Sequence, residues 1–426
     1  MTETKKVRMG DAIVLGFAMF ATFFGAGNMI FPPFLGNRSG DQWFIGFLCF
    51  ILADAGLAVM TVFAMVRLNG SINTIFERLG KKVALTITTI TMTIVGPALC
   101  IPRTGATTFE MGVLPFFPEF SPWIFGLFFF GIVYALIIGR SKVVDIIGKY
   151  MTPILLVSLA VLIIKGMITP VGQIISYSDS ITAANTGFLA GYQTMDVLGA
   201  LAFTIIVLSD VKAKGYTSSK SALAVVSRAS VVTVTGLFLV YGGLCFLGAT
   251  SSSLHMGHHN EAALLVEITG MILGTFGKAL LGIIVFFACM TTAVGLSSSS
   301  SDFFFQLFKE KVSYKVIVTI VVAVGYLLSN VGISVMIALA TPMLNILYPL
   351  LLSQIILSFF NKYLKKDSIY KGAALGALVV CLLQVAADYG APTMFIYQLP
   401  LASLGLNWII PSAIGGILGA LLPEKK

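Results

Sequence analysis

Charged residues make up only 11% of this 426-residue chain, against 57% hydrophobic ones, and the mean hydropathy is +0.97. A water-soluble fold of this length has too little polar surface to cover itself, so a soluble globule is excluded. Histidine is scarce too. His255, His258 and His259 are the whole complement, gathered in the polar stretch from Thr250 to Glu261. Their spacing matches no zinc motif, and a solvated loop is the default reading. The five cysteines, Cys49, Cys100, Cys245, Cys289 and Cys381, lie singly inside apolar runs. They read as buried free thiols, implying neither a disulfide nor a metal. There is no nucleotide-binding glycine loop after a strand, and no Ser, His and acid set on credible elements. Gly25-Ala26-Gly27 is too short for a dinucleotide fingerprint. No enzyme constellation remains, and no cofactor is implied.

What is abundant is apolar sequence in long runs. Hydropathy predicts twelve membrane spans, near 12 to 36, 42 to 66, 83 to 109, 121 to 139, 143 to 168, 187 to 210, 221 to 249, 268 to 305, 314 to 330, 333 to 360, 370 to 390 and 400 to 422. The eighth is long enough to include a short outer helix. The first carries Pro-Pro rather than a small-residue cleavage site and is followed at once by others, so it reads as a retained span and not a signal peptide. The net charge of +9 suggests nucleic acid until its distribution is read. With the N-terminus inside, inner segments hold 23 of the 27 Lys and Arg; only Arg38, Arg103, Lys165 and Lys278 lie elsewhere. That asymmetry is the positive-inside pattern of a multi-pass protein with both termini cytoplasmic. The basic excess belongs to the lipid bilayer and not to nucleic acid.

The first span is interrupted. Phe23-Phe24-Gly25-Ala26-Gly27-Asn28-Met29-Ile30-Phe31-Pro32-Pro33 places two glycines, an asparagine and two prolines where an uninterrupted helix is needed. Irregular backbone at membrane depth is tolerated only where protein buries it or where it lines a wet cavity. The reading is a ligand site, or else a kinked span shaped by packing. An inverted repeat of five spans predicts a second break in span six. Thr186-Gly187-Phe188-Leu189-Ala190-Gly191-Tyr192-Gln193-Thr194-Met195-Asp196 supplies glycine, polar groups and a carboxylate inside an apolar run. A packing kink has no reason to recur at the corresponding position. The predicted architecture is all-α and polytopic, with a first repeat over 12–168, an inverted second repeat over 187–360, and two peripheral helices over 370–422.

A half-helix N-terminus suits an anion, so the N–H groups of Ala26 and Gly27 are candidates for a carboxylate. The carbonyls near Ala21, Phe23 and Phe24, at the end of the preceding half-helix, suit a small hard cation. A zwitterion such as an amino acid satisfies both kinds of end, and the bulky apolar Phe23, Phe188, Tyr192 and Met195 suit an apolar side chain. In span eight, Phe286-Phe287-Ala288-Cys289-Met290-Thr291-Thr292 places two hydroxyls side by side. They either back-bond their own helix or complete a five-oxygen cation site. Asp54 and Asp196 are the deepest acids, with Glu110 and Asp388 nearer the outer edge; intramembrane acids are functional by default. Arg103, in Gly96 to Thr104, pairs with one of them as an outer gate or in a structural ion pair.

Phe20 to Pro33, with Gly96 to Thr104 and Gly191 to Asp196, resembles the bacterial branched-chain amino acid:cation symporters, the BrnQ-type carriers, over essentially the whole chain. That family is similar to the wider amino acid–polyamine–organocation group with the LeuT-type five-plus-five fold. The resemblance implies uptake of leucine, isoleucine and valine across the bacterial cytoplasmic membrane, driven by Na+ or H+. It implies a substrate site of Phe23, Gly25, Ala26, Gly27, Asn28, Phe188, Gly191, Tyr192, Gln193 and Thr194, with Gly25 to Asn28 unwound. It also implies a sodium site from Ala21, Phe24, Ala288, Thr291 and Thr292, and gating or proton-coupling roles for Asp54, Arg103, Glu110 and Asp196. Span seven has no Asn to complete a first sodium site, which leaves one sodium per substrate. Phe31 replaces the arginine that neurotransmitter-type relatives carry after the break, so an outer gate must be built differently. An uncoupled facilitator, a carrier for another small zwitterion, a membrane-embedded enzyme and a sensor are the other readings.

Overall fold

A computed structural model of the chain describes residues 7–68, 72–138, 152–176, 178–254 and 260–423. His255, His258 and His259 lie outside the described residues. Every regular element among the described residues is helical. In lipid, backbone N–H and C=O groups must be satisfied within the protein, and a helix does this within one segment. In chain order the helices are α1 (Met9–Phe23), α2 (Ala26–Ser39), α3 (Trp43–Ile51), α4 (Leu57–Arg67), α5 (Lys81–Thr93), α6 (Cys100–Thr108), α7 (Pro122–Ile138) and α8 (Thr152–Ile168). They continue as α9 (Ser180–Gln193), α10 (Asp196–Ala213), α11 (Ser219–Thr250), α12 (Glu261–Leu307), α13 (Tyr314–Ser329), α14 (Ile333–Ser358), α15 (Asp367–Asp388) and α16 (Ile409–Leu421).

Among the described residues, seven helical stretches are long and apolar enough to cross a membrane by length and composition: Ala26–Arg67, Lys81–Val113, Ser180–Ala213, Ser219–Leu254, Glu261–Leu307, Ile333–Ser358 and Asp367–Asp388. Met9–Phe23 and four further apolar helices are shorter. Exposed large side chains such as Leu127, Phe128, Val231, Leu239, Leu375 and Leu418 face outward, a liability in water and an ordinary surface in lipid. The largest buried side chains include Arg103, Tyr241 and Tyr348. The chain is a multi-pass membrane protein with its polar groups turned inward.

The α9 helix begins seven residues before hydropathy placed span six. Ser180 to Gly187 is too polar to register as apolar sequence, and Asp179 starts the helix by accepting from the N–H groups of Ile181 and Thr182 at 2.9 Å each. The backbone N–H and hydroxyl of Thr182 hold the Asp179 carboxyl below its ordinary range. The long α12 bends at Gly274, whose φ of 62° suits glycine alone. Two helical lines carry a π-turn at a polar residue: Leu52–Gly56 joins α3 to α4 and holds Asp54, and Phe109–Val113 follows α6 and holds Glu110. Such turns aim a side chain out of register with the helix around it.

Glycine sets how closely the central helices approach. α2 packs on α11, α12, α3 and α9. A Cβ on Gly36 would lie 1.8 Å from the Cys245 carbonyl oxygen, and one on Gly248 would lie 1.9 Å from that of Pro33. Small residues at such crossings let backbones meet where no hydrophobic force drives association. Gly36→Ala should therefore cost about 3 kcal/mol, because backbone must yield. Gly131→Ala, on a helix face with nothing within 4 Å, should gain about 0.5–1 kcal/mol from helix propensity. Thermal unfolding of the detergent-purified variants checks both; a Gly36→Ala protein as stable as the parent rules out the close approach.

Candidate functional site

The first break is confined to two residues. Phe24 N–H still bonds the Phe20 carbonyl at 2.8 Å, and the next amide, of Gly25, turns to the Asn28 side-chain oxygen at 3.4 Å. In an unbroken helix that amide would close on Ala21, so the Ala21 carbonyl has lost its helical donor. Helical geometry resumes at Ala26 and runs through Pro32 and Pro33 to Ser39. The expectation of an unwound Gly25 to Asn28 is corrected: only Gly25 is extended, and Ala26 to Asn28 form the first turn of α2. Their amides are still those a helix start leaves without carbonyl partners.

The second break is a single left-handed residue, Met195, with φ 67° and ψ 19°, between α9 and α10. A non-glycine residue there is strained and must be held by its surroundings. Arg103 does the holding: its guanidinium donates to the Gln193 carbonyl at 2.5 Å and the Thr194 carbonyl at 2.9 Å. Those are free carbonyls at a half-helix C-terminus, where positive charge is favoured. Arg103 is 2% exposed and stacks toward the Phe31 ring at 5.8 Å. It pairs with no acid among the described residues and is central, so the expectation of an outer gate or acid partner gives way to a carbonyl clamp.

Asn28 joins the two breaks. Its side-chain nitrogen donates to the Asp196 carboxyl at 2.9 Å and to the Tyr241 hydroxyl at 2.7 Å, and lies 3.5 Å from both Asp54 oxygens. Thr194 donates its hydroxyl to Asp54 at 2.7 Å. Asp54 is 0% exposed and Asp196 7%. The predicted deep acids thus meet each other, brought together from the π-turn after α3 and the first turn of α10.

Between the breaks is a narrow cavity of about 20 Å³, room for about one water. Its polar wall is Gly25, Ala26, Gly27, Asn28, Arg103, Thr104, Thr194, Asp196 and Thr292; Phe23, Val95, Met195, Phe203 and Leu296 form its apolar wall. Thr22, Cys100 and Gly199 complete it. Thr292 is 6% exposed and its hydroxyl has no hydrogen-bond partner among the described residues. That oxygen lies 2.9 Å from where a Cβ on Gly25 would sit, so it faces the break directly. Phe24 is fully buried beside it, ring-stacked on Phe20 and Tyr241. Thr291 differs: half-buried, it donates to the Ala288 carbonyl at 2.9 Å, the back-bonding alternative.

Other expected site residues turn away. Gly191 packs on span two, where a Cβ would lie 2.6 Å from that of Ala53. Tyr192 lies against Tyr348 with ring centroids 4.6 Å apart, and Gln193 donates to Thr341 at 2.8 Å. Phe188 is half-buried against the core. These four lie outside the lining of that cavity and pack against protein. Glu110 accepts from the Ile333 N–H at 2.8 Å and from Asn260 at 2.9 Å, so it caps α14 and lies outside the cavity lining. Among the residues missed, Gly199 and Phe203 follow Asp196 at helical spacings of three and seven, and Leu296 follows Thr292 at four. Periodicity was a usable signal for those three. None existed for Val95, Thr104 or Tyr241.

Arg103→Met should leave the Gln193 and Thr194 carbonyls unpaired in a buried setting, at a cost of about 3 kcal/mol. Parent-like thermal stability of that variant would show the clamp to be idle.

Residues 8–426 match the family model described as branched-chain amino acid transport protein. The chain is 35% identical to the branched-chain amino acid permease BraB of Bacillus subtilis, over 97% of this chain and 95% of that protein. It is 34% identical to the branched-chain amino acid transport system 2 carrier protein of Pseudomonas aeruginosa (96% and 95%), and 30% identical to the permease BrnQ of Escherichia coli K12 (98% and 97%). Among solved structures, the fold is similar to Mhp1, a nucleobase-cation-symport-1 family transporter closed around bromovinylhydantoin. That match has a TM-score of 0.64 at 15% identity and covers 99% of this chain and 95% of that one. A Na+-coupled sialic acid symporter in a substrate-bound outward-open state follows, with a TM-score of 0.63 at 14% identity, covering 97% and 91%.

Proposed function

Since the chain belongs to the branched-chain amino acid transport protein family, we propose that it imports leucine, isoleucine or valine with a coupling cation, sodium in preference to a proton, by alternating access. Its relatives are permeases and carriers, and the chain is a transporter and not an enzyme. The observation that carries the reading is that one cavity between two broken helices offers an anion end, a cation-binding acid and an apolar wall. The substrate carboxylate meets the first-turn amides of Ala26 and Gly27, beside the Arg103 guanidinium, whose nitrogen lies 2.8 Å from a Cβ position on Gly27. The ammonium group meets Asp196, and Phe23, Val95, Phe203 and Leu296 take the branched side chain.

The coupling ion is cargo bound beside the substrate. Thr292, with the carbonyls of Ala21, Phe24 and Ala288, supplies oxygen ligands that suit Na+, while Thr291 back-bonds its own helix and is left out of the set. The ion would hold the end of α1 and the carboxylate the start of α2. Each ligand therefore favours the arrangement of the Phe24–Gly25 hinge that the other needs, which is the physical content of coupling. Twelve crossings, an inverted pair of five-helix repeats and cytoplasmic termini in the bacterial inner membrane complete the reading.

Proteoliposomes with an inward sodium gradient should concentrate labelled leucine above equilibrium, with valine and isoleucine competing. Uptake that only equilibrates identifies a facilitator, and no uptake under sodium or proton gradients sinks the reading. Thr292→Ala should raise the sodium concentration for half-maximal uptake about tenfold or more, with thermal stability changed by less than about 1 kcal/mol. Unchanged sodium activation would move the cation elsewhere.

A further inference from the structure

The transport reading uses Asp196 as the ammonium partner and leaves Asp54 without a task. Asp54 lies behind Asp196, fully buried and outside the cavity lining, and the two carboxyl groups meet at one amide nitrogen, that of Asn28, which lies 2.9 Å from Asp196 and 3.5 Å from both Asp54 oxygens. Two carboxylates hold only acceptors, so two acids that converge on one donor without a cation do not both stay charged, and a proton shared between them supplies the missing donor. Other groups around the pair are neutral: the Asn28 amide at 2.9 Å from Asp196, the Thr194 hydroxyl that donates to Asp54 at 2.7 Å, and the Tyr241 hydroxyl that accepts from Asn28 at 2.7 Å. The titratable groups facing the pair are Tyr241 from α11, Tyr348 from α14 and Cys100 from α6. Arg103, also on α6, commits its guanidinium to the Gln193 and Thr194 carbonyls. Among the described residues neither acid has a Lys or Arg within ion-pair distance. A buried pair so surrounded keeps one negative charge and one proton, since two charges without a counter-ion are costly at this depth.

We propose that Asp54 and Asp196 form a proton-binding dyad that gives up its shared proton when the substrate's ammonium group binds at Asp196. The O–H bond of the dyad breaks, the proton leaves to water on the side to which the cavity is open, and an ammonium N–H···O contact replaces it. No electrons move. The hub carries the same net charge in both states: two carboxylates and one cation, a proton when empty and an ammonium group when loaded. On release the dyad takes a proton back from the side that receives the substrate, so each cycle exchanges one proton against one amino acid. Asp54 is what makes this possible, because a lone Asp196 carboxylate would bind the ammonium group with no proton to displace.

The inference rests on the transport reading and is tested apart from it by leucine binding to the purified protein at saturating sodium. Calorimetry in two buffers of different ionisation enthalpy, such as phosphate and Tris, should give heats that differ by about one proton released per leucine bound. The apparent Kd should weaken about tenfold per unit of falling pH below the titration of the dyad, the slope for one competing proton. Asp54→Asn, which replaces the shared proton by a permanent amide donor, should abolish the buffer dependence and flatten the pH profile of whatever affinity remains. Leucine binding with no buffer dependence in the parent overturns the dyad, whether or not the variant folds, and so does proton release that survives Asp54→Asn. Failure of leucine to bind under every condition instead removes the transport reading, and the dyad falls with it.

Discussion

The Asn28 carboxamide is the point on which the structure turns. Its oxygen accepts the one amide that would otherwise continue the first helix, and its nitrogen reaches Asp196 and Tyr241. One short side chain therefore ends α1, starts α2 and fastens both to the second broken helix. Buried polar groups of this kind are high-stakes: satisfied together they specify one arrangement, and a single loss leaves several partners unpaired. The conformation of Gly25 follows from this anchor, and the breaks face one another because Asn28 spans them.

Arg103 is the complementary anchor at the second break. It brings the only buried guanidinium among the described residues to the end of α9, where two carbonyls and a left-handed Met195 need support. Its position opposite Gly27 also places positive charge where α2 begins. One side chain thus holds the strained Met195 and sets positive charge on the cavity wall.

Around these anchors the helices are held apart or together by small residues. Backbone meets backbone where Gly36 and Gly248 lie between α2 and α11, and where Gly372 and Gly415 lie between α15 and α16. Phenylalanine, tyrosine and leucine fill the remaining gaps, and similar side chains face lipid. Hydrophobicity alone distinguishes neither surface, which is why polar groups decide the architecture.

Much of this was legible in the residues. The apolar runs located the helices, the glycines and Asp196 located both breaks, and Thr292 faced the first break as its mid-span position suggested. Hydropathy misjudged the start of α9, because Ser180 to Gly187 is too polar to register as apolar sequence although it is helical. What the sequence could not decide was direction. Thr291 and Thr292 are equivalent in composition, yet one back-bonds and the other faces the cavity. Asp54, Asp196 and Asn28 are far apart along the chain and meet only when the helices are assembled. A membrane sequence by itself determines where backbone must be helical and where it breaks, since hydrocarbon tolerates nothing else. Which polar side chains then find one another is set by helix rotation and crossing, and those are settled by contacts between segments that no local pattern encodes.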